Sequence, residues 1–172
     1  MRTALVCGLC ALLVFVGGCF ETTLSLGTED DSKVNAAFCG NWTVTNEDKP
    51  DEKINLLIRN IDGKRYFVDW TNPSEKEEKN RTIRLVGYTA PVKGVTFAQV
   101  RDLPEDGSIN LKHLVMRIEI NKDGELIIRQ LNESFFKDQA MQTDADFRRI
   151  VEDNLDNAAM YDEQPIVAKK TS

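Results

Sequence analysis

The chain has 172 residues, a length that fits one domain with a hydrophobic core of its own. Its 22 lysine and arginine residues are outnumbered by 28 aspartate and glutamate residues, which gives a net charge of −6. An acidic domain lacks the basic surface that contacts with phosphate groups require, so nucleic acid is not expected as a partner.

The first residues have the layout of an export signal. Arg2 precedes an apolar run from Ala4 to Val16, which is shorter than the ~20 residues that a membrane-spanning helix needs. The sequence Val-Gly-Gly-Cys ending at Cys19 resembles the lipobox of bacterial lipoproteins. The resemblance implies a signal peptide over residues 1–18 and acyl chains on Cys19. A cleaved signal without acylation is the alternative, but it prefers an A-x-A pattern, which is absent here.

The lipobox resemblance also implies a location. In proteobacterial lipoproteins a residue other than aspartate after the acylated cysteine is compatible with sorting to the outer membrane, and Phe20 stands at this position. We therefore expect a lipid-anchored protein on the periplasmic face of the outer membrane, with the bilayer as its partner through acylated Cys19. Loss of Arg2 with the signal leaves a net charge of −7, so the domain itself is not expected to contact anionic headgroups.

The cysteines predict a fold without disulfides. Cys7 and Cys10 lie in the predicted signal and Cys19 would carry acyl chains, so Cys39 is the single thiol left. Cys39 follows an apolar stretch with no neighbour in sequence that would stabilise a thiolate. This context favours a buried structural thiol over a catalytic one.

Residues 20–35 are polar and acidic and have no sustained periodicity. We interpret residues 19–35 as the lipidated cysteine followed by a flexible tether. A random coil of this length spans on the order of 20 Å, so the domain would sit next to the membrane. The folded domain is expected over residues 36–172.

From Phe38 onward, short strand-like runs alternate with turn signals at a spacing typical of sandwiches and barrels. Asp62-Gly63 and Asp123-Gly124 predict tight hairpins, because glycine supplies the positive φ that such turns need. The predicted strands are Phe38–Thr45, Ile54–Asn60, Arg65–Thr71, Arg81–Tyr88, Gly94–Arg101, Leu111–Ile120, Glu125–Leu131 and Ile166–Lys169. In the sixth strand, apolar residues alternate with His113, Val115, Arg117 and Glu119, which predicts one face in the core and one in water.

Two helices are predicted between the last two strands. Thr143 and Asp146 have the spacing of a capping box. An amphipathic helix follows, with its apolar residues at helical spacing: Phe147, Ile150, Val151 and Leu155. A shorter helix is predicted over Asn132–Ala140, starting at an asparagine cap.

Gly40-Asn41-Trp42 opens the predicted strand series. This Gly-x-Trp start, the succession of strands and the helix near the C-terminus resemble the lipocalins, although the second motif of that family, Thr-Asp-Tyr, is missing. The resemblance implies an antiparallel up-and-down β-barrel of about eight strands with a C-terminal amphipathic helix. It also implies that Gly40 and Trp42 close the base of the barrel and that Arg129 is the candidate partner of Trp42.

The third strand offers the candidate lining of a cavity. Tyr66, Val68 and Trp70 share one face of this strand. An eight-stranded barrel has an interior that is either filled by side chains or holds one small ligand. We expect the filled interior, because large apolar side chains are most often buried in a core.

Neither a metal site nor a catalytic group stands out. His113 is the only histidine, and its place in the alternation predicts an exposed side chain, so a multi-histidine metal site is not expected. The carboxylates are scattered, and no nucleophile stands with a paired base at a motif spacing. We therefore expect neither a cofactor nor an enzyme.

These observations predict a non-enzymatic lipoprotein of the cell envelope that binds a small apolar ligand or a protein partner. One alternative is an envelope hydrolase that uses the abundant carboxylates. The other is an inhibitor of an enzyme, acting through the charged loop over residues 72–80.

Overall fold

The computed structural model of the chain describes residues 20–46, 49–76, 81–104 and 110–171. The predicted signal peptide and its acylation site, Cys19, lie outside the described residues, as does part of the loop over residues 72–80. The strands are β1 (Glu21–Thr22), β2 (Gly40–Asn46), β3 (Lys49–Asn60), β4 (Arg65–Thr71), β5 (Thr82–Val92), β6 (Val95–Asp102), β7 (His113–Ile120), β8 (Leu126–Gln130) and β9 (Ile166–Lys170). The helices are α1 (Glu133–Lys137) and α2 (Asp144–Asp153), and a 3₁₀ turn follows at Ala158–Met160.

Strands β2 to β9 form a closed antiparallel barrel. Each strand pairs with the next along the chain, and β9 returns to pair with β2, where Trp42 lies opposite Lys170. The short strand β1 is an addition that pairs with the start of β7, with Glu21 opposite Leu114. The predicted eight-stranded barrel is therefore confirmed. Closure satisfies the backbone groups that an open sheet would leave unpaired at its edges.

The hairpin turns lie where glycine permits a positive φ. Gly63 and Gly124 have φ of 83° and 78°, as the two Asp-Gly signals predict. A third tight turn lies at Lys93 and Gly94, which have φ of 47° and 84°. The prediction that Gly94 begins the fifth strand is wrong, because Gly94 lies in this turn and β5 runs four residues beyond its predicted end at Tyr88.

Two hydrophobic cores lie on opposite sides of the barrel wall. The inner core fills part of the barrel around Trp42, Leu56 and Ile118. The outer core lies between the outer faces of β5, β6 and β7 and the segments that pack on them. Val115 belongs to this outer core and is 2% exposed, so the prediction that its face of β7 is in water is wrong at this position.

The two helices form as predicted and cover the outer face. Asn132 caps α1 by accepting a hydrogen bond from the backbone N of Ser134 (2.8 Å), although α1 ends at Lys137 rather than at residue 140. Thr143 and Asp146 make the reciprocal hydrogen bonds of a capping box at the start of α2. Phe147 and Val151 of α2 are fully buried in the outer core.

The segment interpreted as a tether is instead docked on the barrel. Phe20 stacks on Phe136, with ring centroids 4.4 Å apart, and it is 9% exposed. Leu26 is 1% exposed in the outer core, and its backbone N donates to Oε1 of Gln99 (2.8 Å). The prediction of a flexible segment is therefore wrong, because its few apolar residues find a hydrophobic surface on the wall of the barrel.

Helix α2 holds the same segment with polar contacts. The backbone N of Ser25 donates to Oδ1 of Asp144 (2.8 Å). The guanidinium of Arg148 donates to the carbonyl oxygen of Leu26 and, over 3.0 Å, to that of Pro91 in β5. Arg148 thus joins the docked segment, the helix and the barrel. In the described residues, we find no helix with the length and apolar character needed to cross a membrane.

Candidate ligand-binding cavity

The barrel encloses a cavity of about 290 Å³. The prediction of an interior filled by side chains is therefore wrong. Gly87 and Ala98 lie among the lining residues, and they contribute almost no side-chain volume to their part of the wall. The larger apolar residues of the lining are Phe38, Leu56, Ile58, Ile83, Leu85, Val100, Leu114, Met116, Ile118, Leu126, Ile128 and Ile166.

Strand β4 contributes the three residues that the sequence predicts as candidate lining. Tyr66, Val68 and Trp70 all line the cavity. They lie on one face of β4 because side chains of a strand alternate between its two sides. Tyr66 and Val68 are buried, and Trp70 is half-buried at the opposite end of the strand.

One end of the barrel forms the floor of the cavity. The chain crosses this end just before β2, where the backbone N of Val34 donates to the carbonyl oxygen of Gly63 (2.9 Å). Phe38 is buried and lines the cavity, and its carbonyl oxygen accepts a hydrogen bond from the indole N of Trp42 (2.9 Å). The Gly-x-Trp residues therefore stand at the closed end of the barrel, with Gly40 at a φ of 136°.

A lysine, rather than Arg129, lies over the ring of Trp42. The Nζ of Lys170 is 5.1 Å from the ring centroid, and this arrangement follows from the pairing of the two residues across β2 and β9. Arg129 alternates along β8 with Ile128 and Gln130, which both line the cavity, so its side chain lies on the outer side of the wall. Its positive charge acts there on Tyr161.

The polar groups near the floor are bound by the docked segment. The hydroxyl of Tyr66 accepts a hydrogen bond from the backbone N of Asn35 (2.6 Å). The backbone N of Thr89 donates to Oγ of Ser32 (3.1 Å), which donates in turn to the carbonyl oxygen of Lys64 (2.9 Å). Burial raises the pKa of Tyr66, so the phenol stays neutral. The lower part of the cavity therefore presents an apolar surface without a charge.

The opposite end of the barrel is the mouth of the cavity. Strand β6 ends there at Asp102 and β7 begins there at His113. Glu21 and Asp102 line the cavity and are also exposed, so the cavity reaches solvent at this end. Lining residues close to the mouth, such as Trp70 and Leu114, are only partly buried.

The mouth carries negative charge. Partial burial of its carboxyl group, together with the nearby charge of Glu21, raises the pKa of Asp102. The carboxylate of Glu21 lies 3.4 Å from Nζ of Lys112, in an ion pair whose side chains are both exposed. Strands β1 and β6 thus bring two carboxylates together at the mouth, and no local pattern in the sequence indicates this arrangement.

His113 is half-buried rather than exposed, which corrects the prediction from the alternation. Its ring meets the ring of Tyr88 edge-on, with centroids 6.3 Å apart. Burial, and then the positive charge of Arg101, lower the pKa of His113. The hydroxyl of Tyr88 donates to the carbonyl oxygen of Gly27 (3.0 Å), so the docked segment covers this part of the wall.

Within the described residues, no group of three or more histidine, cysteine, aspartate or glutamate side chains is placed to hold a metal ion. Cys39 is a free thiol and is half-buried beside the inner core, just before β2.

Comparison of the chain with protein-family models, with curated proteins and with solved structures gives no match.

Proposed function

We propose that this protein is a lipid-anchored binding protein of the bacterial cell envelope and that its barrel holds a small apolar ligand. The observation that carries the proposal is the cavity, which has a closed floor, a mouth at the other end and an almost wholly apolar lining. Preformed, concave and apolar sites with a few polar groups are the usual form of a small-molecule site.

The volume limits the ligand. About 290 Å³ corresponds to roughly ten water molecules in the liquid, which suits a ligand of roughly ten to twenty non-hydrogen atoms. The neutral lower cavity favours an apolar body. The carboxylates of Glu21 and Asp102 disfavour an anionic group at the mouth.

A binding experiment tests the cavity. The neutral apolar dye N-phenylnaphthylamine should gain fluorescence on binding and should quench Trp70, which lines the cavity. Ala98→Phe places a large ring in the cavity and should abolish both signals. Ala140→Phe, at an exposed position between the helices, is the matched control and should leave both unchanged.

If Ala98→Phe does not fold, Ala98→Leu takes its place and should weaken dye binding in proportion to the smaller volume that it fills. Dye binding that is the same in the wild type and in a folded Ala98 variant would reject the cavity as the site.

Mass spectrometry of the protein extracted from membranes tests the anchor. We expect a chain that begins at Cys19 and carries two or three acyl groups. A chain cleaved at another residue, or one without acyl groups, would reject the anchor.

A protein partner is supported less well by the described surface. The exposed large hydrophobic residues of the described surface do not form one patch, because Ile61 lies at the floor end of the barrel, Val167 lies on β9, and only Leu103 and Leu111 share the mouth end. A stable partner site needs a contiguous apolar patch of several hundred square ångströms.

Hydrolysis has one observation in its favour, which is the raised pKa of Asp102 beside Glu21. A general acid needs such a pKa. A hydrolase predicts that Asp102→Asn abolishes turnover of a chromogenic ester while binding of the apolar dye persists. Absence of turnover in the wild type would reject this function.

A further inference from the structure

The position of the anchor relative to the cavity follows from the way in which the chain enters the fold. Phe20, the residue after Cys19, packs on Phe136 and lies 5.6 Å from Phe147, measured between ring centroids. One peptide step spans about 3.8 Å, so no free length of chain separates Phe20 from the acylation site. An acylated Cys19 would therefore join the bilayer to a fixed point on the domain.

This fixed point lies at the mouth of the cavity. Glu21 follows Phe20 directly, pairs with Leu114 at the start of β7 and lines the cavity. The floor, formed by Phe38 and Trp42, lies at the other end of the barrel. The anchor thus brings the mouth, rather than the floor, toward the membrane.

Two exposed leucines stand at the same end. Leu103 directly follows the last residue of β6 and is 48% exposed, and Leu111 lies two residues before β7 and is 68% exposed. Lys112 stands beside Leu111 and has an exposed side chain that can reach the headgroup level while the leucine enters the apolar layer. We call Leu103, Leu111 and Lys112 the rim.

The charge at the mouth selects the kind of bilayer. Lys112 offsets the charge of Glu21, with which it forms an ion pair, so the carboxylate of Asp102 is the lining charge that an anionic surface would repel, whereas a zwitterionic surface imposes no such cost. The expectation that the domain avoids the bilayer depends on a flexible tether and on net charge alone. The docked segment and the exposed leucines change that balance for neutral lipid.

We infer that the barrel stands with its rim in contact with a zwitterionic phospholipid bilayer, and this inference rests on the lipid anchor of the proposed function. The mouth then opens onto lipid, and an apolar ligand enters the cavity from the membrane without crossing water. Contact at the rim adds to the hold of the acyl chains and fixes the orientation of the barrel.

Hydrogen–deuterium exchange of the acylated full-length mature protein tests this orientation. In phosphatidylcholine vesicles, the amides of residues 110–114 should exchange more slowly than in detergent, and those of residues 61–65, at the end of the floor, should not change. Vesicles that contain phosphatidylglycerol at low salt should give weaker protection of residues 110–114.

The double variant Leu103→Ser and Leu111→Ser should lose this protection. It should also take up N-phenylnaphthylamine from vesicles about tenfold more slowly, because two apolar contacts with the bilayer are gone. Its affinity for the dye in detergent should not change. Ile61→Ser is the matched control, since Ile61 is 48% exposed like Leu103 but lies at the closed end of the barrel. It should change neither the amide protection nor the rate of dye uptake.

The orientation would be overturned if vesicles slow amide exchange equally at residues 110–114 and at residues 61–65. It would also be overturned if Ile61→Ser slows dye uptake as much as the double variant does. Protection of residues 110–114 without any binding of the dye would support the orientation and reject the ligand-binding function. A mature chain without acyl groups, identified by its mass, would overturn both proposals.

Discussion

Strands β5 and β6 approach so closely at Gly87 that a side chain has no room. A Cβ at this position would overlap the carbonyl oxygen of Gln99 and would lie 2.8 Å from Cα of Val100. Because these are backbone atoms of the neighbouring strand, they cannot move aside without loss of pairing. We expect Gly87→Ala to lower the free energy of unfolding by about 1–3 kcal/mol, measured by urea denaturation.

Gly63→Asn is the control for this prediction. Gly63 has a φ of 83°, a Cβ added to it would have no atom within 4 Å, and asparagine tolerates such a φ. We expect a change below about 1 kcal/mol. A Gly87→Ala variant as stable as the wild type would show that the two strands can separate here.

His113 should make stability depend on pH. Its pKa in the folded protein lies below the ordinary value of 6.5, so the unfolded chain binds more protons than the folded chain between these two pKa values. The contribution of neutral His113 to the free energy of unfolding is complete above about pH 6.5, and it is lost as the pH falls toward the pKa of His113 in the folded protein. The groups that act on His113 besides burial are Arg101, Glu29 and Asp144.

His113→Gln keeps a neutral polar side chain but removes the imidazole that binds a proton. We expect the Tm of the variant to fall less than that of the wild type between about pH 7 and about pH 5, in thermal scans monitored by circular dichroism. If Tm depends on pH in the same way in the two proteins, the burial of a neutral histidine would be contradicted.

At the scale of elements, the docked N-terminal segment is part of the folded domain. Leu26 is 1% exposed among the outer-core residues, so Leu26→Ala should cost about 2–5 kcal/mol. Thr23→Ala, at an exposed position of the same segment, should change stability by less than about 0.5 kcal/mol. Chemical denaturation of the chain that begins at Phe20 measures both. If Leu26→Ala does not lower the free energy of unfolding, the interpretation of this segment as a flexible tether would be supported instead.

The elements that could be predicted from sequence are those whose signals are local. Strand alternation, the Asp-Gly turns and the capping box of Thr143 and Asp146 each act within a few residues, and all are present in the structure. The docking of residues 20–34 depends instead on a distant surface. The alternation of Leu24 and Leu26 with polar neighbours is the available signal, but it is too short to separate a docked strand-like segment from a coil.

The cavity could not be predicted for a similar reason. Strand alternation places Tyr66, Val68 and Trp70 on one face, but whether they meet across the barrel depends on the size of residues on other strands. The small side chain of Ala98 leaves space in the lining, and no sequence pattern around this residue reveals it. The two carboxylates at the mouth come from β1 and β6, which lie about 80 positions apart in the chain.

At the scale of the whole molecule, the two hydrophobic cores share one wall. Strands β5, β6 and β7 present Leu85, Val100 and Ile118 to the inner core, and their opposite faces present Val92, Phe97 and Val115 to the outer core. Loss of either core removes support from the strands that the other core needs. We therefore expect the barrel and the helices to unfold in a single cooperative transition.

The chain provides separate probes for the two sides of the wall. Both of its tryptophans, Trp42 and Trp70, belong to the barrel side, so their fluorescence reports the inner core. The helical band of far-UV circular dichroism reports α1 and α2 on the outer side. The two signals should give the same urea midpoint within experimental error, because the shared wall couples them. A helical signal lost at a lower urea concentration than the fluorescence would mean that the barrel stands without its outer core, and that the docked segment and helices are an independent layer.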